Sequence, residues 1–232
     1  MIVPALTEEQ MREVDRAMVE DLHIQLVQMM ENAGRSLADL ALRRFGTAAA
    51  VVLAGPGGNG GGGLVAARHL ANRGTEVSVV LSHPESAVSP VAALQLDIVR
   101  RIGITVVDEP ADGDLVIDAI IGYSLRGDPS GRSAELIAWA NHQPAPVLAL
   151  DTPSGLDVTT GHAGSPCVRA TATLTLALPK VGLLNAPGVV GELFVADISV
   201  PALVYERMGI TVGNLFARDT VVEVPARTIP SS

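Results

Sequence analysis

The chain has 232 residues, 48% of them hydrophobic, 18% charged and 3% aromatic, with a formal net charge of −9. That length fits one large domain whose core is built from small aliphatic side chains, as in a parallel sheet covered by helices. The acidic balance argues against nucleic acid as a partner, since phosphate backbones are held by Lys and Arg, and the scarce aromatics argue against stacked single strands.

The N-terminus, "MIVPALTEEQ", has no basic region ahead of an apolar stretch, so no signal peptide is read there. No apolar run reaches membrane-spanning length, and the expectation is a cytoplasmic protein that does not engage a membrane. Thr7 with Gln10 reads as a capping box that opens a helix carrying Met11, Val14 and Met18 at helical spacing. Leu26, Met29, Met30, Ala33, Leu37 and Leu40 mark a second helix ending near Gly46. Two helices therefore precede the first strand.

Strands and helices then alternate. Strands are expected at 48–54, 77–81, 105–107, 115–120, 147–150, 171–176 and 193–198. Helices are expected at 64–73, closed by Gly74, and at 90–102 and 133–141. This order predicts a doubly wound, mostly parallel sheet. Residues 1–232 read as a single domain, with a tail over 219–232 whose tip, "PARTIPSS", is expected to be mobile.

In an open α/β sheet, ligands bind beyond the carboxyl ends of the strands. Three glycine-bearing polar loops leave strands at that edge: 55–63, 122–130 and 151–164. In the first, the glycines are expected to permit positive φ and close approach of a ligand, and the helix amides that follow favour a phosphate. The loop matches G-x-G-x-x-G literally, but the second strand ends "VVLSHP" with no acid for a ribose, which argues against a conventional dinucleotide-dependent dehydrogenase. No Lys follows the glycines, so it is not a P-loop.

Asp118 interrupts the apolar run "LVIDAIIG", where a carboxylate is expensive unless paired or bound to a metal. It reads either as a structural acid accepting backbone N–H bonds or as a ligand. Asn59, Asp118 and Ser154 would together supply an amide oxygen, a carboxylate and a hydroxyl from three adjacent loops. Such hard oxygens suit a hard cation, and a lone carboxylate suits a monovalent one. Asp151, at a strand end before "TPSG", reads either as a ligand-contacting acid or as an Asx-turn residue. Lys180 stands in an apolar stretch, where it would meet a phosphate or pair with an acid. The lone Cys167 excludes an intrachain disulfide and reads as a buried small hydrophobe. His23, His69, His83, His142 and His162 show no paired ligand spacing.

The segments "MENAG", "GPGGNGGGGLVAARHL", "DLVIDAIIGYSLRG", "LDTPSGLDVTTG" and "PKVGLLNAPG" occur in that order. In them the chain resembles the YjeF N-terminal domain family of NAD(P)H-hydrate epimerases, from about Leu6 to Pro201. The resemblance implies a Rossmann-like three-layer α/β/α sandwich with two N-terminal helices, usually a homodimer. It implies epimerisation of the R and S forms of hydrated NADH or NADPH (NADHX and NADPHX). It also implies one potassium ion per subunit, held through Asn59, Asp118 and Ser154. The implied substrate-binding residues are Gly58, Asn59, Gly60, Gly61 and Gly62, then Gly122, Tyr123, Ser124, Leu125, Arg126, Gly127 and Asp128, together with Asp151. Asp151 is the candidate catalytic acid/base. A separate ADP- or ATP-dependent dehydratase is the expected functional partner. The chain departs from the family loop N-N-G-G-D-G, having Gly58 for the first Asn and Gly62 for the Asp. This departure carries the alternative of a catalytically weakened nucleotide- or partner-binding module on the same fold.

Overall fold

The computed structural model describes residues 3–225. The expected capping box is present: Gln10 N–H donates to Thr7 Oγ1 at 3.2 Å, and Thr7 N–H donates to Gln10 Oε1 at 2.9 Å. It opens α1 (Glu8–Arg16), which a π turn (Ala17–Asp21) extends. Then come α2 (Leu26–Phe45), β1 (Ala49–Ala54), α3 (Gly58–Ala71), β2 (Glu76–Leu81), α4 (Pro90–Arg101), β3 (Thr105–Val107) and β4 (Leu115–Ala119). The second half holds α5 (Gly131–His142), β5 (Val147–Leu150), β6 (Ala172–Leu176), α6 (Val181–Asn185), α7 (Pro187–Val190), β7 (Glu192–Ala196), α8 (Ala202–Arg207) and β8 (Val221–Glu223).

The sheet order is β3-β2-β1-β4-β5-β6-β7-β8, parallel throughout except for the antiparallel β7/β8 pair. Because the side-chain period of a strand is two, alternate residues of β1 serve opposite cores. Val52 and Ala54 join Leu37, Leu64, Leu70 and Leu96 of α2, α3 and α4 on one face. Val51 and Leu53 join Leu136, Ile137 and Ala140 of α5 on the other. The result is the expected three-layer α/β/α sandwich. Met11 and Val14 of α1 and Met18 of the π turn join a third cluster with Leu178, Val195 and Tyr205. The segment before α1 is tied down beside Lys180, with Leu6 N–H bonded to Pro179 O at 2.8 Å and Val181 N–H to Leu6 O at 3.0 Å.

Three expectations change. The segment from 219 contains β8, whose Val222 is in register with Val195, and so it adds a strand to the sheet edge. A three-residue strand is too short for its alternation to be read from sequence. The 226–232 part of that expected tail, including its tip, lies outside the described residues. The other two changes concern the glycine loop. The helix expected from Leu64 begins at Gly58, so most of that loop is the first turn and a half of α3. None of the described glycines from 55 to 63 has positive φ. Their service is close approach. A Cβ on Gly55 would lie 1.8 Å from Ile120 O, one on Gly60 1.8 Å from Gly55 O, and one on Gly63 2.5 Å from Ala119 Cβ. Glycine's weak helix propensity is overridden here by the packing of α3 onto the sheet.

Candidate functional site

Because β1, β4 and β5 are neighbours, their carboxyl ends bring three loops to one place. Asp118 in β4 is in register with Leu53 of β1 and Ala149 of β5, at the centre of the sheet. Its carboxylate is fully buried. Oδ2 accepts the Ser154 N–H at 2.8 Å, and Oδ1 accepts the Ser154 hydroxyl at 2.6 Å and the Ile120 N–H at 3.2 Å. Burial outweighs these bonds and pushes its pKa up to about 6. No salt bridge reaches it among the described residues, so neutral donors alone stabilise its charge.

Asn59 sits in the first turn of α3. Its side-chain Oδ1 and Nδ2 are both buried, and neither has a hydrogen-bond partner. A buried amide left unpaired costs about 1–3 kcal/mol. Gly122, on the loop after β4, comes close to it: a Cβ at Gly122 would stand 3.5 Å from Asn59 Oδ1. The Asn59 amide oxygen, without a partner, the Asp118 carboxylate, without a counter-ion among the described residues, and the Ser154 hydroxyl are hard oxygen donors of the kind a monovalent cation such as potassium takes.

Above this cluster opens a cleft of about 620 Å³, within the range of ordinary ligand sites. Its apolar side is Met11 of α1 and Leu26, Met29, Met30 and Ala33 of α2. Its polar side includes Asp15 of α1, the start of α3, and Asp151 after β5. The first amides of α3 have no preceding helical carbonyl to bond, and Gly57 at the N-cap brings no side chain to satisfy them. This leaves the helix end free to take an anion.

Of the expected substrate residues, Gly58, Asn59, Gly62, the stretch 122–126, Asp128 and Asp151 line the cleft. Gly60 and Gly61 do not. A Cβ on Gly60 would strike the Gly55 backbone, and one on Gly61 would meet Met30 Sδ at 2.6 Å, so these two serve packing. Gly127 has φ +67 and also lies outside the cleft lining, where it turns the loop. Asp128 both lines the cleft and ties two loops together, its Oδ1 accepting the Ser165 N–H at 3.1 Å.

Asp151 is buried with φ +66, a left-handed conformation that Asp tolerates better than most residues. Its Oδ1 pairs with the Lys180 ammonium and accepts the Leu176 N–H at 3.3 Å, while Oδ2 accepts the Tyr123 N–H at 3.2 Å. Lys180 is wholly buried and also donates to Thr175 Oγ1 at 3.2 Å and Leu176 O at 3.0 Å. Of the two partners left open for Lys180, the structure shows the acid.

Sequence reasoning missed Asp15. It lies four residues after Met11, on the helix face that turns inward, and a carboxylate at that spacing was the available signal. Its Oδ2 accepts the Tyr123 hydroxyl at 2.5 Å, and burial raises its pKa. Cys167 is buried, and burial pushes its thiol up to about 12, away from nucleophilic use. His83 borders the cleft, and His69 pairs with Glu31 at 2.8 Å.

The family model of the YjeF-related protein N-terminus matches residues 26–182. The chain belongs to the YjeF N-terminal family. As a YjeF N-terminal domain, it is 46% identical over 216 residues to the NAD(P)H-hydrate epimerase of Dehalogenimonas lykanthroporepellens, covering 90% of this chain and 87% of that one. It is 35% identical to the NAD(P)H-hydrate epimerase of Rhodopirellula baltica, covering 86% of each chain. It is 38% identical to a bifunctional NAD(P)H-hydrate repair enzyme of Moorella thermoacetica, covering 84% of this chain but only 40% of that one. The crystal structure of yeast ynu0 (YNL200c) superposes with a TM-score of 0.85 at 21% identity, covering 96% of this chain and all of the yeast chain. That likeness shows a shared fold.

Proposed function

We propose that this chain is an NAD(P)H-hydrate epimerase, interconverting the R and S forms of hydrated NADH and NADPH. The observation that carries the reading is a match along nearly the whole length to relatives named for that activity. The site supports it. The start of α3 offers free amides to the nucleotide's phosphates, and the methionine-lined side offers an apolar surface to a ring. Asp151, bonded to the Lys180 ammonium, faces the cleft and is the catalytic acid/base.

Asn59, Asp118 and Ser154 would hold a potassium ion, which when bound supplies fixed positive charge beneath the cleft. In this reading it joins the glycine helix, the 122–130 loop and the 151–164 loop into one rigid rim. The active form is a homodimer. A separate ADP- or ATP-dependent dehydratase is the functional partner in this reading; the bifunctional relatives carry further length beyond the part matched here.

A second reading rests on Gly58 and Gly62, which stand where the family loop carries Asn and Asp. Without them the domain would be a binding module that holds a nucleotide or a protein partner without turning substrate over. The experiment separating the two follows R-to-S conversion of purified hydrate by NMR. Acceleration above the spontaneous rate, abolished in Asp151→Asn, is expected. Saturable binding with no acceleration would leave the module.

A further inference from the structure

Asp15 takes no part in the Asn59–Asp118–Ser154 cluster or in the Lys180–Asp151 ion pair, yet Tyr123 joins it to the site. The Tyr123 backbone N–H donates to Asp151 Oδ2 at 3.2 Å, and its phenolic O–H donates to Asp15 Oδ2 at 2.5 Å. One residue thus positions two carboxyl groups a tyrosine's length apart, and all three line the same cleft.

The two carboxyl groups have different surroundings. Asp151 is paired with a buried ammonium. Asp15 faces Arg12 on its own helix, and Tyr123, Lys180 and Asp151 across the cleft, but burial is the largest influence on it and favours the neutral acid. One carboxyl group bonded to a buried ammonium and one that burial favours as the neutral acid suit the roles of base and acid. With Oδ2 accepting from Tyr123, Oδ1 is left to carry the acid's proton.

The reaction needs two such groups. Hydration of a dihydronicotinamide leaves a hydroxyl on the ring carbon next to the ring nitrogen. That carbon can invert by loss of the hydroxyl from one face and addition of water to the other. Resting on the epimerase reading, we propose that Asp15 is the second catalytic residue, the general acid for the departing hydroxyl, while Asp151 is the base for the water that adds to the opposite face. The Asp15 proton passes to the hydroxyl, and the carbon–oxygen bond breaks with its electron pair leaving on water. The nitrogen lone pair forms the carbon–nitrogen double bond. Water then bonds to the other face, that double-bond pair returns to nitrogen, and the surplus proton goes to Asp151. One water leaves and one adds, nothing is oxidised or reduced, and solvent returns the proton from Asp151 to Asp15. The reverse epimerisation exchanges the two roles.

The test measures R-to-S conversion against pH in the full chain and in Asp15→Asn, Asp15→Glu and Tyr123→Phe. The wild-type rate is expected to fall on the alkaline side of the Asp15 pKa, as Asp15 loses its proton. Asp15→Asn should lose about 100-fold or more in kcat, the ordinary worth of a general acid, and with it the alkaline limb. Asp15→Glu should restore part of the rate together with the limb. The Tyr123 hydroxyl lowers the Asp15 pKa, so Tyr123→Phe should move the limb to higher pH. The proposal is overturned if Asp15→Asn keeps the wild-type rate, or if it loses rate but keeps the limb. A wild-type chain that fails to accelerate the conversion at any pH removes the epimerase reading itself, a different outcome from either.

Discussion

Lys180 and Asp151 form an ion pair inside the protein: the Lys180 side chain is fully buried, and its ammonium donates to Asp151 Oδ1. Desolvating two charges is costly, and the cost is met here because their remaining bonds go to Thr175, Leu176 and Tyr123. The pair locks the carboxylate that faces the cleft, and it sits where the N-terminal segment bonds on either side of Lys180.

Replacing Lys180 by Met leaves Asp151 as an uncompensated buried charge. The expected loss is about 3–5 kcal/mol, read as the shift in a urea midpoint at neutral pH. Lys180→Met combined with Asp151→Asn should recover part of it. A double variant no more stable than Lys180→Met would show that the pair contributes little.

Potassium should stabilise the fold through Asn59. At a concentration 100 times its dissociation constant, one bound ion adds about 2.7 kcal/mol. Thermal unfolding in potassium chloride against choline chloride measures this. Asn59→Ala should lose the increment, yet unfold in choline chloride at or above the wild-type temperature, because the orphaned amide is gone.

Asp118 gives the potassium-free protein a pH dependence of definite sign. Its pKa is about 6 when folded, against the usual 3.8. Between those values the folded state holds more protons than the unfolded one, so stability falls as pH rises from about 4 to about 6. The change is on the order of 3 kcal/mol. Asp118→Asn, which stays neutral, should lack this component when the two urea-derived pH profiles are compared in choline chloride. Equal slopes would contradict the assignment.

Two glycines two positions apart in the first turn of α3 should respond oppositely to alanine. Gly58 has open space where a Cβ would go, so Gly58→Ala should fold as well as wild type or gain about 0.5–1 kcal/mol from helix propensity. At Gly60 the Cβ would lie 1.8 Å from a backbone oxygen, and Gly60→Ala should cost about 3 kcal/mol or more. Circular dichroism melts of the two variants check this. Gly62 falls between them, since its Cβ would meet only the tip of Leu150 at 2.8 Å, and that tip can move. A Cβ at Gly62 is therefore accommodated by a shift of the Leu150 tip.

What local order specifies was legible in the sequence. The alternation of β1 through β6 with α3, α4 and α5, the Thr7 capping box, and the placing of Asn59, Asp118 and Ser154 near the carboxyl ends of β1, β4 and β5 all follow from periodicity, propensity and the rule that ligands meet strand carboxyl ends. The tertiary structure alone decided the rest. It chose the Asp151 carboxylate as the partner of Lys180, 29 positions away in sequence. It turned Asp15 inward to Tyr123, 108 positions away. It converted the glycine stretch from a loop into a helix, because Gly55, Gly60 and Gly63 meet backbone and side chains of other segments at distances no Cβ would tolerate. Sequence spacing reports what neighbours along the chain share. Burial, ion pairing and close approach depend on which distant segments the sheet brings side by side.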